Sequence, residues 1–172
     1  SETSYDAKTY GTVLLKNIVG DARFSFPKSL YSVHDSLKYF VDEKPNALIL
    51  DFFAGSGTTL QAVNLLNAED GGHRRCIMVT NNEVSADEAK TLKDKGYQPG
   101  DAEWKKLGIA HYVTWPRTVC SIEGHDVNGN PLKGDYLGSE PPMHMADGFK
   151  ANAAFFKLSF LDSTAVSLGM RF

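Results

Sequence analysis

The residues best suited to chemistry lie in one glycine-rich segment that directly follows the apolar run 47–50, and they are Asp51, Phe52, Phe53, Ala54, Gly55, Ser56, Gly57, Thr58 and Thr59. An apolar run that ends in an acid and is followed by a Gly-x-Gly turn predicts a buried strand, a tight loop and a helix. Glycine lets the backbone take positive φ and approach a ligand closely, because it has no Cβ. At the carboxyl end of a strand in an open α/β sheet, such loops bind nucleotide-like ligands.

Three classes of ligand use glycine-rich turns of this kind. A phosphate-binding P-loop requires a Lys after its last glycine, but two threonines follow Gly57 and the first Lys after it is Lys90. A dinucleotide-binding turn requires a third small residue, and Leu60 stands in its place. S-adenosylmethionine (SAM) has no phosphate and requires neither feature. Since the carboxylate of Asp51 can balance its cationic groups, SAM is the best of the three.

The same segment resembles the SAM-binding motif of amino-group DNA methyltransferases, and its context is similar to the modification subunits of type III restriction-modification systems. Residues 11–16 and 24–30 resemble the part of that family before the first SAM-site helix, and residues 74–83 resemble its second strand and terminal acid. Residues 148–158 are similar to a later strand, less specifically. The resemblance implies SAM as cofactor and part of a Rossmann-like α/β methyltransferase fold, with a mostly parallel sheet flanked by helices.

The resemblance also implies which residues contact SAM. The expected cofactor-binding residues are Phe26, Pro27, Lys28, Ser29, Asp51, Phe52, Phe53, Ala54, Gly55, Ser56, Gly57, Thr58, Thr59, Asn82 and Glu83. In the family, the F-x-x-P-K segment helps hold the methionine end of SAM, where Lys28 would pair with the carboxylate. An acid at the tip of a second strand accepts the ribose hydroxyls in doubly wound folds, and Glu83 lies where such an acid is expected.

Several of these roles have alternatives. Asp51 either contacts the ligand or caps the helix that follows it. Phe53 packs against the ligand or beneath the loop. Asn82 competes with Glu83 for the ribose, and either residue is also suited to cap the next helix. Lys28 is otherwise a solvated surface residue.

The catalytic motif of the family, [DNS]-P-P-[YFW], is not found upstream of Asp51, where the family's order would put it. The one Pro-Pro pair in the sequence lies downstream, in Glu140-Pro141-Pro142-Met143, with no aromatic ring to stack on a flipped base. We therefore assign no catalytic residue. The chain is expected to be the SAM-binding portion of a longer enzyme and to be inactive by itself.

The resulting hypothesis is the SAM-binding portion of a site-specific adenine-N6 DNA methyltransferase of a restriction-modification system. Adenine, rather than cytosine, rests on the resemblance alone, which also implies DNA, a restriction subunit and a second copy of the chain as partners. The alternative is a non-catalytic nucleotide-binding or scaffold domain with a Rossmann-like fold. A small-molecule methyltransferase is a weaker third hypothesis.

Composition limits these hypotheses. The 172 residues suit a single domain, 1–172, with 18 basic and 21 acidic residues and a net charge of −3. Because a DNA-binding face needs basic residues, most of the DNA contacts are expected outside this chain. No apolar run is long enough for a membrane span and no leader opens the chain, so we expect a soluble, cytoplasmic protein without membrane contact. Cys120 and His125 lack the second pair that a zinc site needs, and no metal is expected.

The elements that must position the loop alternate between helix and strand. Helices are predicted over 29–42 and 58–67, from a capping box at Ser85 to near Gly96, over 101–107, and from 114 onwards. Strands are predicted over 47–50, 76–80 and 153–160. The pair Asn128-Gly129 predicts a hairpin turn, and residues 124–148 are expected to form a hairpin or loop insertion.

Overall fold

The computed structural model describes residues 2–21 and 23–158. The described helices are α1 (Leu14–Val19), α2 (Leu30–Val41), α3 (Thr58–Asp70), α4 (Ala86–Asp94), α5 (Ala102–Lys106) and α6 (Trp115–Glu123). The strands are β1 (Leu48–Asp51), β2 (Arg75–Met78), β3 (Asp135–Tyr136) and β4 (Met143–His144). Short π-helical turns at Lys8–Val13 and Ala110–Thr114 lead directly into α1 and α6, and 3₁₀ turns lie at Glu2–Tyr5 and Met145–Asp147.

A parallel pair of strands joined through a helix holds the glycine-rich loop. β1 and β2 pair in parallel, with Leu48 opposite Arg75 and Asp51 opposite Met78, and α3 makes the crossover. The Val79 amide donates to the Asp51 carbonyl at 2.8 Å, which extends the pairing to the end of β1. The glycine-rich loop and the segment after β2 therefore leave the sheet at the same edge. This arrangement is a mixed α/β fold with a small parallel sheet.

Helix α3 is buried around almost its whole circumference. Residues 61–66 are all buried. Packing on several sides explains this, because α3 contacts α2, α6 and β2. Gly71, with φ 72°, ends the helix in the left-handed conformation that favours glycine.

Several polar contacts hold the ends of these elements. The buried Arg74 donates to both oxygens of Asp70, at 3.0 and 2.8 Å, and to the carbonyls of Val41 and Asp42 at the end of α2. It thereby satisfies carbonyls that a helix terminus leaves without an intrahelical partner.

The Ser85 half of the capping box predicted at the start of α4 is confirmed, whereas the Glu88 carboxylate bonds the Ser85 hydroxyl instead of the Ser85 amide. The Ser85 hydroxyl donates to the Glu88 carboxylate at 2.8 Å, and it accepts from the Glu88 amide at 3.4 Å. Glu88 also forms an ion pair with Arg23 at 3.0 Å, and the Arg23 guanidinium lies 3.8 Å from the centre of the Tyr112 ring. The segment before α2 is thus tied to α4 and to the turn before α6.

The main core lies among the helices. Its most buried members come from α1, α2 and α3, where Ile18, Leu30, Ala62 and Leu65 are each 0% exposed. Helix α1 was not predicted from the sequence. The residues that α1 packs against come from distant elements. A helix of only six residues also has little sequence pattern of its own by which it could be predicted.

The late strand predicted over 153–160 is wrong for its described part. Residues 151–158 adopt no regular secondary structure, and residues 159 and 160 lie outside the described residues. Alternating apolar residues favour a strand only where a neighbouring edge supplies hydrogen bonds, and among the described residues none pairs with this segment.

Residues 124–148 contain two hairpin-like features. The chain reverses around Gly129, whose φ is 82°, and His125 bridges to Pro131 in the antiparallel sense. β3 and β4 then pair in the antiparallel sense, with Asp135 opposite His144. Among the described helices, none is both long and apolar enough to cross a membrane.

Candidate functional site

The glycine-rich loop turns tightly between β1 and α3. Gly55 and Gly57 have φ values of 50° and 77°, a region in which residues with a Cβ are strained. The Gly57 amide donates to the Ala54 carbonyl at 2.8 Å, and the Ala54 amide donates to the Val79 carbonyl at 3.1 Å. The two glycines are therefore required by the backbone itself, and the loop is anchored to the end of β2.

The segments expected to line the same site do meet in the structure. A Cβ on Gly55 would lie 3.0 Å from Cζ of Phe24, so this ring packs directly against the loop. A Cβ on Gly11 would lie 2.5 Å from the carbonyl oxygen of Pro27, so the π-helical turn that contains Gly11 packs against the F-x-x-P-K segment. The fold thus brings together three regions that are separated in sequence: the Gly11 turn, the Phe24–Pro27 segment and the glycine-rich loop.

Asp51 is used by its own loop. Its Oδ1 accepts from the Phe53 amide at 3.2 Å and its Oδ2 accepts from the Thr59 hydroxyl at 2.5 Å. These contacts tie the end of β1 to the Thr59 side chain in the first turn of α3. They are not the predicted cap, because among the described residues no side chain accepts from the first backbone amides of α3. The carboxylate is half-buried, and contact with a ligand stays a prediction.

The aromatic residues of the site stand open to solvent. Phe26, Phe52 and Phe53 are 90%, 61% and 87% exposed, and the last two rings meet edge to face with centroids 5.7 Å apart. Of the two roles predicted for Phe53, packing beneath the loop is therefore wrong. Phe26 has a φ of 62°, which is uncommon for a residue with a bulky side chain. Exposed rings beside a tight loop are suited to contact a ligand.

The neighbours of Phe26 divide between structural and exposed positions. Pro27 and Ser29 are buried, and the Ser29 hydroxyl donates to the Ser4 carbonyl at 3.1 Å. Lys28 between them is exposed. Of this group, only Phe26 and Lys28 have side chains accessible to a ligand.

Asn82 and Glu83 take different positions after β2. The Asn82 amide group donates to the Lys105 carbonyl at 2.8 Å and accepts from the His111 amide at 3.1 Å, so this side chain anchors the segment before α6. The Glu83 carboxylate is exposed, while its backbone carbonyl accepts from Ile109 at 2.9 Å. Glu83 is therefore the better candidate for a ribose contact, which stays a prediction.

The turn before α6 and its first residues support the loop from the opposite side. The Thr114 hydroxyl donates to the Gly55 carbonyl at 2.5 Å, and a Cβ on Gly57 would lie 3.2 Å from the Thr114 methyl group. The Arg117 side chain, 0% exposed, donates to Ser56 and Thr58.

Sequence reasoning missed Thr114 and Arg117. Val113, Arg117 and Ser121 recur at a helical spacing of four residues and share one buried face, but two of the three are polar, so the sequence does not mark this face as buried.

Two further features concern chemistry. Burial, with a contribution from the Asp51 carboxylate, raises the pKa of the Cys76 thiol to about 12, so this cysteine beside the loop is protonated at neutral pH.

The segment Glu140-Pro141-Pro142 is exposed in the connection between β3 and β4. Within residues 2–21 and 23–158, no three His, Cys, Asp or Glu side chains are grouped so as to hold a metal ion.

With this geometry described, the chain can be compared with known proteins. A family described as DNA methylase matches residues 6–118, which include the Gly11 turn, the glycine-rich loop, Glu83 and Arg117. The chain belongs to this DNA methylase family. The similarity to amino-group DNA methyltransferases inferred from the glycine-rich segment is thereby confirmed.

Curated relatives of this chain agree with the family assignment. It is 40% identical over 87 residues to the Type III restriction-modification enzyme EcoPI Mod subunit of Escherichia phage P1, across 51% of the chain and 13% of that protein. It is 44% identical over 68 residues to the Type II methyltransferase M.KpnI of Klebsiella pneumoniae, across 40% of the chain and 16% of that protein. It is 44% identical over 64 residues to the Type III restriction-modification enzyme StyLTI Mod subunit of Salmonella typhimurium, across 37% of the chain and 10% of that protein. The chain thus matches only a small part of the length of each relative.

Proposed function

We propose that this chain is the SAM-binding portion of an adenine-N6 DNA methyltransferase from a restriction-modification system, built as part of a Rossmann-like fold. The observation that carries the proposal is the loop 51–59, in which two glycines at positive φ turn the chain at the end of a parallel strand, against Phe24 on one side and Thr114 on the other. Membership of the DNA methylase family supports a methyl donor as the ligand of this loop.

In this proposal each side chain has a binding or orienting role. Phe26 and Phe53 supply open apolar surface, Lys28 pairs with the carboxylate of the methionine part, and Glu83 accepts the ribose hydroxyls. Asp51 acts by closing the loop onto α3, in addition to any direct or water-mediated contact. When bound, SAM supplies an electrophilic methyl group. The residues of this chain would hold and orient the methyl donor, and such positioning lowers the barrier to methyl transfer.

Methyl transfer itself is proposed to require residues outside this chain. The segment Glu140-Pro141-Pro142-Met143 has an acid and a thioether where the family motif has a small polar residue and an aromatic ring. The net charge of −3 also supports DNA contacts located elsewhere, because duplex DNA is bound mainly through basic residues. Two of the relatives carry Mod subunit in their names, which supports a restriction subunit as a partner of the whole protein. A second copy of the chain is a further proposed partner.

One observation favours the alternative of a non-catalytic domain. Both carboxylate oxygens of Asp51 accept hydrogen bonds from the loop, so this acid has a structural role without any ligand. A domain that kept the fold but lost its chemistry would retain these contacts.

Titration calorimetry of the full chain with SAM, S-adenosylhomocysteine and NAD separates the two hypotheses. We expect binding of SAM and S-adenosylhomocysteine, and none of NAD. Binding of NAD alone would overturn the proposal.

A pair of variants sharpens this result. Asp51→Ala opens the loop and is expected to weaken SAM binding by at least about tenfold, which corresponds to roughly 1.4 kcal/mol. His125→Ala, in the half-buried connection after α6, is expected to leave binding unchanged. Equal losses in both variants would indicate general unfolding instead of a local contact.

A further inference from the structure

Arg117 is a buried cation that contacts the glycine-rich loop from beneath. It lies in the first turn of α6 and its side chain is fully buried. Its Nη1 donates to the Thr58 hydroxyl at 2.8 Å, to the Ser56 hydroxyl at 3.2 Å and to the Ser56 carbonyl at 3.4 Å. Its Nε donates to the Gln61 side-chain carbonyl at 2.9 Å. Three of these four contacts therefore reach the two residues that flank Gly57.

Burial of this side chain is costly for stability. Within the described residues, Arg117 has no carboxylate at ion-pair distance, and its Nη2 makes no hydrogen bond. A buried charge without a counter-charge is expensive, and an apolar side chain of similar size fills such a space at lower cost. Burial lowers the pKa of Arg117 to about 10, so the group still carries its charge at neutral pH. Stability alone does not account for an arginine at this position.

The partners of Arg117 are themselves held in place. The Gln61 amide donates to the Tyr136 hydroxyl at 3.2 Å, which orients its carbonyl toward the guanidinium. The Ser56 and Thr58 hydroxyls lie 3.1 Å apart and share the same Nη1 group. Loop, α3, α6 and β3 thus form one hydrogen-bonded network, in which Arg117 joins the loop to the other three elements.

Gly57 has a positive φ and directly precedes α3. Because glycine is flexible, contacts to Ser56 and Thr58 are needed to hold the backbone around Gly57 in one conformation. Arg117 binds both neighbours and also the Ser56 carbonyl. Without it, the loop keeps its contacts to Asp51 and Thr114 but loses the bonds that define its final turn into the helix. The fully buried guanidinium acts from behind the loop and does not itself reach a ligand.

We propose that Arg117 is a positioning residue that holds residues 56–58 in the conformation that binds SAM. This inference rests on the proposed function, since it assumes that SAM occupies the loop. It predicts that changes at Arg117 affect ligand affinity through Ser56 and Thr58, beyond their effect on the stability of the fold.

The test compares SAM and S-adenosylhomocysteine binding by calorimetry in five forms of the full chain: wild type, Arg117→Met, Arg117→Lys, Thr58→Val and the double variant Arg117→Met/Thr58→Val. We expect Arg117→Met to weaken both ligands by at least tenfold. Arg117→Lys, which can keep one of the contacts, is expected to recover part of that loss. The double variant is expected to bind no more weakly than Arg117→Met by itself, because both changes break the same interaction.

A matched control is Arg74→Met. Arg74 is also buried, with 4% exposure, and it also bonds to backbone carbonyls, but its contacts lie at the ends of α2 and α3 away from the loop. We expect this variant to lower the melting temperature without changing the affinity of the folded chain for SAM. Melting temperatures of all variants are measured by circular dichroism, and binding is measured well below the lowest of them.

The outcomes separate the inference from the proposed function. Wild-type chain that binds neither ligand overturns both. Wild-type chain that binds SAM while Arg117→Met and Arg117→Lys bind it equally well overturns the role of Arg117 alone, as do fully additive losses in the double variant. Should Arg117→Met not fold, Arg117→Lys and Thr58→Val decide the matter: both must weaken binding at a nearly unchanged melting temperature.

Discussion

The helical side of this molecule and the open face of its small parallel sheet both carry large apolar side chains, but these differ in burial. In α3, Val63 and Leu65 are 1% and 0% exposed. On the sheet, Leu48, Leu50 and Ile77 are 55%, 60% and 50% exposed. The strands alternate in burial as strands do, yet the side chains on one face have no element packed over them among the described residues.

The same contrast holds for charged residues. The consecutive arginines Arg74 and Arg75 stand at the junction of the two regions, where Arg74 is buried against helix termini and Arg75 is exposed on the sheet. Arg74 and Arg117 are both buried on the helical side, where each is held by hydrogen bonds to neighbouring polar groups. The difference teaches that hydrophobicity describes where a side chain can be buried, while the packing partners determine whether it is.

The largest expected difference comes from a matched pair of leucines. Leu65→Ala removes a side chain from the core of α3 and is expected to cost about 3 kcal/mol, because a cavity is left in packed surroundings. Leu50→Ala, on the open face of β1, is expected to cost less than about 1 kcal/mol. Denaturant unfolding of both variants measures the difference, and equal losses would mean that the sheet face is as well packed as the helical side.

The second pair consists of the neighbouring arginines. Arg74→Met removes the guanidinium from the Val41 and Asp42 carbonyls and from the Asp70 carboxylate, and it is expected to cost about 3 kcal/mol. Arg75→Met is expected to change stability by no more than about 0.5 kcal/mol. Thermal and denaturant unfolding should agree on this order, and the reverse order would contradict the assignment of Arg74 as the structural residue.

A pH-dependent effect is expected where α2 packs on α3. Burial opposes the charged form of His34, but hydrogen bonds to Glu69 at 3.0 Å and Asp35 at 2.7 Å outweigh burial and raise its pKa above the usual 6.5. Burial likewise opposes the charged form of Glu69, and the contacts to His34 and Lys38 outweigh it and lower the pKa below the usual 4.5. The stability from His34 is therefore complete below pH 6.5 and is lost as pH rises through its raised pKa. That from Glu69 is complete above pH 4.5 and is lost as pH falls through its lowered pKa.

The cluster should thus contribute most between pH 4.5 and 6.5. The measurement is the difference in unfolding free energy between wild type and His34→Gln, taken at about pH 5.5 and again at about pH 8.5. We expect the difference to shrink at the higher pH. A difference independent of pH would contradict the charged pairing, and His73→Gln, at an exposed position before β2, serves as the control that should leave the pH profile unchanged.

The smallest expected effect on stability concerns the open sheet face. Ile77→Thr keeps a β-branched side chain in β2 and is expected to change stability by within about 0.5 kcal/mol. It should also reduce the fluorescence of a dye that binds exposed apolar surface. The equivalent change in the core, Ile18→Thr, is expected to destabilise the chain strongly. A large loss from Ile77→Thr would show that this face is covered in solution.

Elements with strong local signals were predicted well. Helix α2 was expected over 29–42 and is found at Leu30–Val41, and the helix after Ser85 ends near Gly96 as expected. Strand β1 and the turn into α3 follow from an apolar run, an acid and two glycines, and these are also the residues that led to the DNA methylase family. Local backbone preferences and caps act over a few residues, so they can be recognised in the sequence.

Features that depend on distant partners were predicted poorly. The strand over 153–160 was wrong for its described part because alternation cannot supply a neighbouring edge. Helix α1 and the buried Arg117 were missed because their partners lie far away in sequence, such as Ser56 and Thr58 for Arg117.

The sequence by itself determined the glycine-rich turn, the family and most of the element boundaries, since these depend on short-range steric and capping rules. Only the tertiary structure decided that Asp51 closes its own loop, that Phe53 stands in the open, and that an arginine from α6 supports residues 56–58 from beneath. The reason is physical: burial and hydrogen-bond partners are properties of surfaces brought together by folding, and no single segment contains both sides of such a contact.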